Sequence, residues 1–177
     1  MSKEFSAQRL DVKAFAEDGA QLSGQAPLSG FERLMAETEG RGGERLMSWE
    51  AQGEIRNPLH VHPHLWLHLR AGACLSLACQ RCLSPVDVEV TVDRSFRFVA
   101  DERMAEAEDD ASEEDLLALS RSFDLLGLVE DEMLMDLPLV PRHAHCPEPL
   151  PAPVDDLLDE AESSKPNPFA VLGRLKK

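Results

Sequence analysis

At 177 residues the chain has room for one hydrophobic core plus tails, and its 43% hydrophobic and 29% charged residues are those of a globular protein. Eighteen basic residues against 33 acidic ones give a formal charge of −15, which repels the phosphate backbone, excludes broad non-specific nucleic-acid binding and favours basic partners. No stretch reaches the ~20 apolar residues of a membrane span, and the opening MSKEFSAQRLDVKAF lacks the features of a secretory signal, so a cytoplasmic protein with reduced or metal-bound cysteines is expected.

The first patterned segment is helical. Ser29 and Glu32 make an S-x-x-E capping box, and Leu28, Phe31, Leu34 and Met35 recur at helical spacing up to the glycines at 40–43. Three stretches of strand periodicity follow. Met47, Trp49, Ala51 and Ile55 alternate with Ser48, Glu50, Gln52 and Glu54; Leu65, Leu67, Leu69, Ala71, Ala73, Leu75 and Leu77 alternate with polar residues; then Val86, Val88, Val90, Val92, Phe96 and Phe98 alternate with Asp87, Glu89, Thr91 and Asp93. Strands with one apolar face, joined by short connections, predict an antiparallel sheet packed on one side and wet on the other.

Between Asp101 and Asp115 nine acids face a single arginine, which predicts a disordered acidic loop. A second helix opens at Asp124 as N-cap, carries Leu126, Val129, Met133 and Leu137 as its stripe and is stopped by Pro138. From Pro147 onward prolines are dense, which predicts an extended tail. The expected fold is therefore α+β: a single domain over 1–146 whose antiparallel sheet has one face covered by two or three helices, and a Pro-rich tail over 147–177 ending in NPFAVLGRLKK.

Chemistry concentrates at Cys79-Gln80-Arg81-Cys82, directly after an apolar strand. Two thiolates on such a turn converge on one ion, but zinc needs four ligands. The remote cluster able to supply the rest is Arg142-His143-Ala144-His145-Cys146, so Cys79, Cys82 and Cys146 with either His143 or His145 are the candidate zinc ligands. Reduced structural thiols are a second reading of the pair. A redox couple is a third, although Pro85 and an alternating strand follow where a thiol-activating helix would start. His60, His62, His64 and His68 fall on alternate positions and read as a solvated edge, and Cys74 reads as a small, partly buried residue. No nucleophile elbow, P-loop, dinucleotide or H-E-x-x-H pattern occurs, so catalysis is not expected.

Three stretches taken in order, CQRCLSPVDVEV, DLLGLVEDEMLMDLPLVPRHAHC and KPNPFAVLGRLKK, resemble the YceD proteins, the large ribosomal RNA subunit accumulation proteins. The resemblance implies a non-enzymatic role in synthesis, processing or stability of 23S rRNA. It places the family's C-x-x-C on Cys79 and Cys82 and its later P-x-H…C element on Pro141, His143 and Cys146. Some relatives carry a second cysteine pair there, where this chain has Cys146 alone. Combined with the charge, the expected partner is a basic ribosomal protein or assembly factor of the pre-ribosomal large subunit, attracted by the acids at 101–115 and anchored by Pro141 and by Asn167, Pro168 and Phe169 of the terminal motif. A direct rRNA-binding module using Arg70, Arg81, Arg94 and Arg97, and a zinc- or thiol-dependent enzyme, are the alternatives.

Overall fold

A computed structural model describes residues 4–147 apart from His62, Asp110 and Glu113. The terminal motif with Asn167, Pro168 and Phe169 lies outside the described residues. The chain divides into two units, Met1–His143 and Ala144–Lys177, and every named element belongs to the first. In chain order these are α1 (Val12–Glu17), β1 (Gln21–Pro27), a 3-10 turn (Leu28–Gly30), α2 (Glu32–Glu37), β2 (Leu46–Arg56), β3 (His64–Ala78), β4 (Pro85–Val99), α3 (Glu102–Asp109), β5 (Asp115–Ala118) and α4 (Leu125–Met135).

The strands form one sheet in the order β1-β2-β3-β4-β5, a meander in which the first four pair antiparallel. The three periodic stretches are its centre. Met47, Trp49 and Ala51 of β2, the odd-numbered residues from Leu65 to Leu77 of β3, and Val90, Val92, Phe96 and Phe98 of β4 share one face and are buried. Leu10, Val12, Phe15 and Ala16 at α1 and Leu125, Val129 and Met133 of α4 are buried with them, as a one-sided apolar sheet requires.

Two edge strands escape the periodicity, for different reasons. β1 reads QLSGQAP, and only Leu22 of its core-facing Leu22, Gly24 and Ala26 is large; at Gly24 β2 fills the space, since a Cβ there would stand 2.6 Å from the Trp49 ring. β5 is only four residues long and runs parallel to β4, a pairing that needs a crossover. α3, Glu102–Asp109, lies in that crossover, within the run whose charge predicts a disordered loop. Arg97, on the face of β4 away from Phe96 and Phe98, pairs with Glu108 of α3 at 2.9 Å and with Glu114 at 3.2 Å, which relieves the like-charge repulsion of the run.

The helix starts also divide. Asp124 caps α4 as expected, its side chain accepting from the Gly127 N–H at 3.0 Å. Its buried face is Leu125, Leu128, Val129 and Met133, so Leu126 and Leu137 of the expected stripe lie only at the margin. The Ser29–Glu32 capping box is not formed. Ser29 lies in the 3-10 turn, Phe31 precedes α2 without a side-chain cap, and the open N–H groups of Arg33 and Leu34 donate to the Glu130 carboxylate of α4 at 2.8 and 3.2 Å. A remote acid does the work of a local cap, and it also holds the Arg33 guanidinium at 3.0 Å.

The close approach of α1 to the sheet depends on Gly53, where a Cβ would stand 2.6 Å from the Phe15 carbonyl oxygen and 2.8 Å from the Ala16 Cα. These are backbone atoms that cannot swing aside. Gly53→Val is therefore expected to destabilise the fold by about 1–3 kcal/mol, as overpacking does. Urea denaturation checks it: an unchanged midpoint would mean that α1 does not pack here.

Candidate metal centre

β3 ends at Ala78 and β4 begins at Pro85, so residues 79–84 must reverse the chain. The turn is held by Cys79 N–H donating to the Ser84 carbonyl at 3.0 Å and Leu83 N–H donating to the Cys79 carbonyl at 2.8 Å. Leu83 adopts a positive φ of 61°, a left-handed conformation that costs a leucine roughly 1–2 kcal/mol. After α4 the chain comes back along this turn. Gln80 N–H donates to the Pro141 carbonyl at 2.9 Å, and Arg81 Nη2 donates to the His143 carbonyl at 3.2 Å.

These contacts bring His143 to the thiols. Its Nε2 lies 2.9 Å from the Pro85 carbonyl, which can only accept, so Nε2 carries the proton; Nδ1 then faces the Cys82 Sγ at 3.4 Å. A backbone carbonyl fixing one imidazole nitrogen and freeing the other is how metal-ligating histidines are oriented. The ligand atoms of Cys79, Cys82, His143 and Cys146 all lie within 4.8 Å of one another. A zinc tetrahedron with bonds of about 2.0–2.3 Å has edges of roughly 3.5–3.8 Å, so a small contraction closes it. This Cys3His set could hold a metal ion. His145, the alternative histidine, is exposed and is not one of the four.

The electrostatics suit a cation. Burial by itself would push the Cys79 thiol up, but backbone N–H groups of Cys82, His143 and Arg81 aimed at its sulfur bring it down to about 5, so it is a thiolate at neutral pH. His143 is raised, first by its hydrogen bond to Cys79 and against the effect of desolvation, with Cys82 and the Pro85 carbonyl acting in the same direction. Backbone N–H donors thus favour the anionic sulfur, and that sulfur in turn favours the protonated imidazole. Cys74 behaves oppositely: burial and then Glu89 raise its thiol, and it lies against Arg45 outside the cluster.

The other candidates separate. Among the described residues of the histidine run, His64 is exposed at the start of β3, while His68 sits between Glu54 at 2.7 Å and Ser95 at 2.8 Å on the polar face of the sheet. Glu54 is held below the usual carboxylate range by Arg56 and then by His68. Sequence spacing missed this trio because each member comes from a different strand; the alternation of β2, β3 and β4 was the available signal.

A model of the family "Large ribosomal RNA subunit accumulation protein YceD" matches residues 67–176, which include the C-x-x-C turn, α4 and the returning segment. The chain belongs to the YceD family. It is 36% identical over 104 residues to the YceD protein of Haemophilus influenzae, named a large ribosomal RNA subunit accumulation protein; the alignment covers 58% of this chain and 60% of that relative. The chain thus matches less than two thirds of that YceD protein's length. No solved structure matches. Among the described residues no helix is long and apolar enough to cross a membrane.

Proposed function

We propose that this chain acts, without catalysing a reaction, in the accumulation of large-subunit ribosomal RNA, through synthesis, processing or stability of the 23S species. The observation that carries the proposal is the family match over residues 67–176, whose family name speaks of large ribosomal RNA subunit accumulation. The mode of action follows from charge. Arg45, Arg56, Arg70, Arg94 and Arg97, on or beside the sheet, each pair with a carboxylate, and the chain as a whole carries −15. Cations engaged within the fold do not form the stripe that displaces counterions from RNA. The partner is therefore a basic ribosomal protein or assembly factor of the large subunit, met in the cytoplasm, and rRNA is affected through it.

The metal centre serves this role structurally. Zinc on Cys79, Cys82, His143 and Cys146 would tie the segment after α4 to the β3–β4 turn. Cys79 is fully buried, which suits a structural ligand and not a nucleophile that must reach a substrate.

Deletion of the gene is expected to lower the ratio of 23S to 16S rRNA and to raise large-subunit precursors, with the small subunit near normal. Quantitative RNA electrophoresis in the deletion and complemented strains checks this; unchanged ratios and precursors would refute the proposal.

A further inference from the structure

The segment that returns from α4 to the metal centre also builds a groove that the centre does not use. Its walls are Ala36 at the end of α2, Leu77 at the end of β3, Leu134 and Met135 at the end of α4, and Pro138 and Leu139 beyond it, enclosing about 460 Å³. Leu77 is buried, but three apolar side chains at or beside the groove stand open. Leu139 is 98% exposed, Met135 67% and the following Val140 54%. Leu83, on the turn whose Gln80 lines the groove, is 78% exposed and holds its left-handed backbone at a cost that glycine would avoid. Apolar surface gathered around a groove, with strain beside it, marks a binding surface.

Charge specifies the occupant. Glu37 and Glu39 line the groove, and among the described residues its lining contains no lysine or arginine. α4 ends there with its carbonyl groups, no basic residue in its last turn and Asp136 as C-cap; α2 ends there on Glu37, also without a basic residue. Helix C-termini favour cations. The cations at hand only partly answer: Arg41 takes up Glu39, and Arg94 approaches Asp136 at 3.8 Å.

We infer that this groove docks a short segment of a protein partner in which an apolar side chain is flanked by lysine or arginine. The inference rests on the proposed reading insofar as the partner is basic. Nucleic acid is repelled by the acidic rim, and a second copy of this chain would bring another net charge of −15 to it.

The test is fluorescence anisotropy of labelled synthetic peptide pools against the full chain. One pool has Leu, Met or Phe fixed between Lys/Arg flanks; matched pools carry Glu flanks or a Ser anchor. The Lys/Arg-flanked apolar pool should bind, and Leu139→Asp and Met135→Asp should each weaken it by about tenfold or more, as loss of a central anchor does. Glu37→Lys should weaken it less and flatten its salt dependence. All three side chains stand at the surface, so the variants should keep the wild-type melting temperature. Equal binding of the Glu-flanked pool, unchanged affinity in both Asp variants, or sedimentation showing that those variants abolish only self-association would each overturn the inference. So would an rRNA fragment that binds the wild type and is lost from Leu139→Asp. The two proposals fail separately: peptide binding through the groove with normal 23S rRNA in the deletion strain removes the ribosomal role and leaves the groove, whereas a 23S defect with binding indifferent to Leu139 removes the groove alone.

Discussion

Cys79→Ser and Cys82→Ser are expected to take the purified chain from about one equivalent of zinc to well below half, as loss of one ligand of a four-ligand site does. A structural zinc contributes its binding free energy to folding, so several kcal/mol should be lost, or roughly 10 °C in melting temperature for a chain of this size. The histidines discriminate. His143→Ala should behave like the cysteine variants, because its Nδ1 lies 3.4 Å from the Cys82 sulfur, whereas His145→Ala should leave the metal in place. Cys74→Ser, outside the cluster, is the control for general thiol loss. Elemental analysis of protein prepared without chelator, followed by thermal melts with and without added chelator, measures both effects. Well under half an equivalent of metal in the wild type would reject zinc and leave a thiolate–imidazole arrangement as the state of the site.

The second large effect is expected at Glu130. Its carboxylate is nearly buried and accepts from two backbone N–H groups of α2 while pairing with Arg33, so one side chain caps one helix from another. Glu130→Ala would leave the two backbone donors without their acceptor and Arg33 with Asp131 alone, and a buried donor left unsatisfied costs about 1–3 kcal/mol. Arg33→Ala should cost much less. Arg33 is half exposed, and Glu130 would keep its two backbone donors. Urea denaturation of both single variants and the double variant gives the coupling directly; Glu130→Ala within 0.5 kcal/mol of wild type, the usual scatter of surface changes, would show that the cap carries no weight. Asp131 also reaches Arg33 but at the surface, so its substitution should move stability little.

Both predictions turn on residues that meet from distant parts of the chain, and that is where reading the sequence ended. β2, β3 and β4 were readable because one face of each packs and the other is wet, so burial is written into alternate positions. The Asp124 cap was readable because a cap is local. The C-x-x-C turn with His143 or His145 and Cys146 could be named as a ligand set because zinc demands four donors of these types and no other distant cluster offered them. Which histidine faces the thiols, however, depends on the Pro85 carbonyl and on the hydrogen bonds that lay residues 141–143 along the turn. Those arise only when α4 packs and its exit meets the end of β3. Likewise Ser29 and Glu32 match the pattern of a capping box, yet Glu130 occupies that role because the packing of α4 against α2 brings a carboxylate to the helix start. α3 forms in an acidic run because Arg97, from the neighbouring strand, supplies the opposite charge. Composition, periodicity and local caps belong to the sequence by itself, since their physics acts over a few residues; the donor set's geometry, the remote cap and the helix within the acidic run were decided by tertiary structure, because each needs a partner that only the folded sheet brings near.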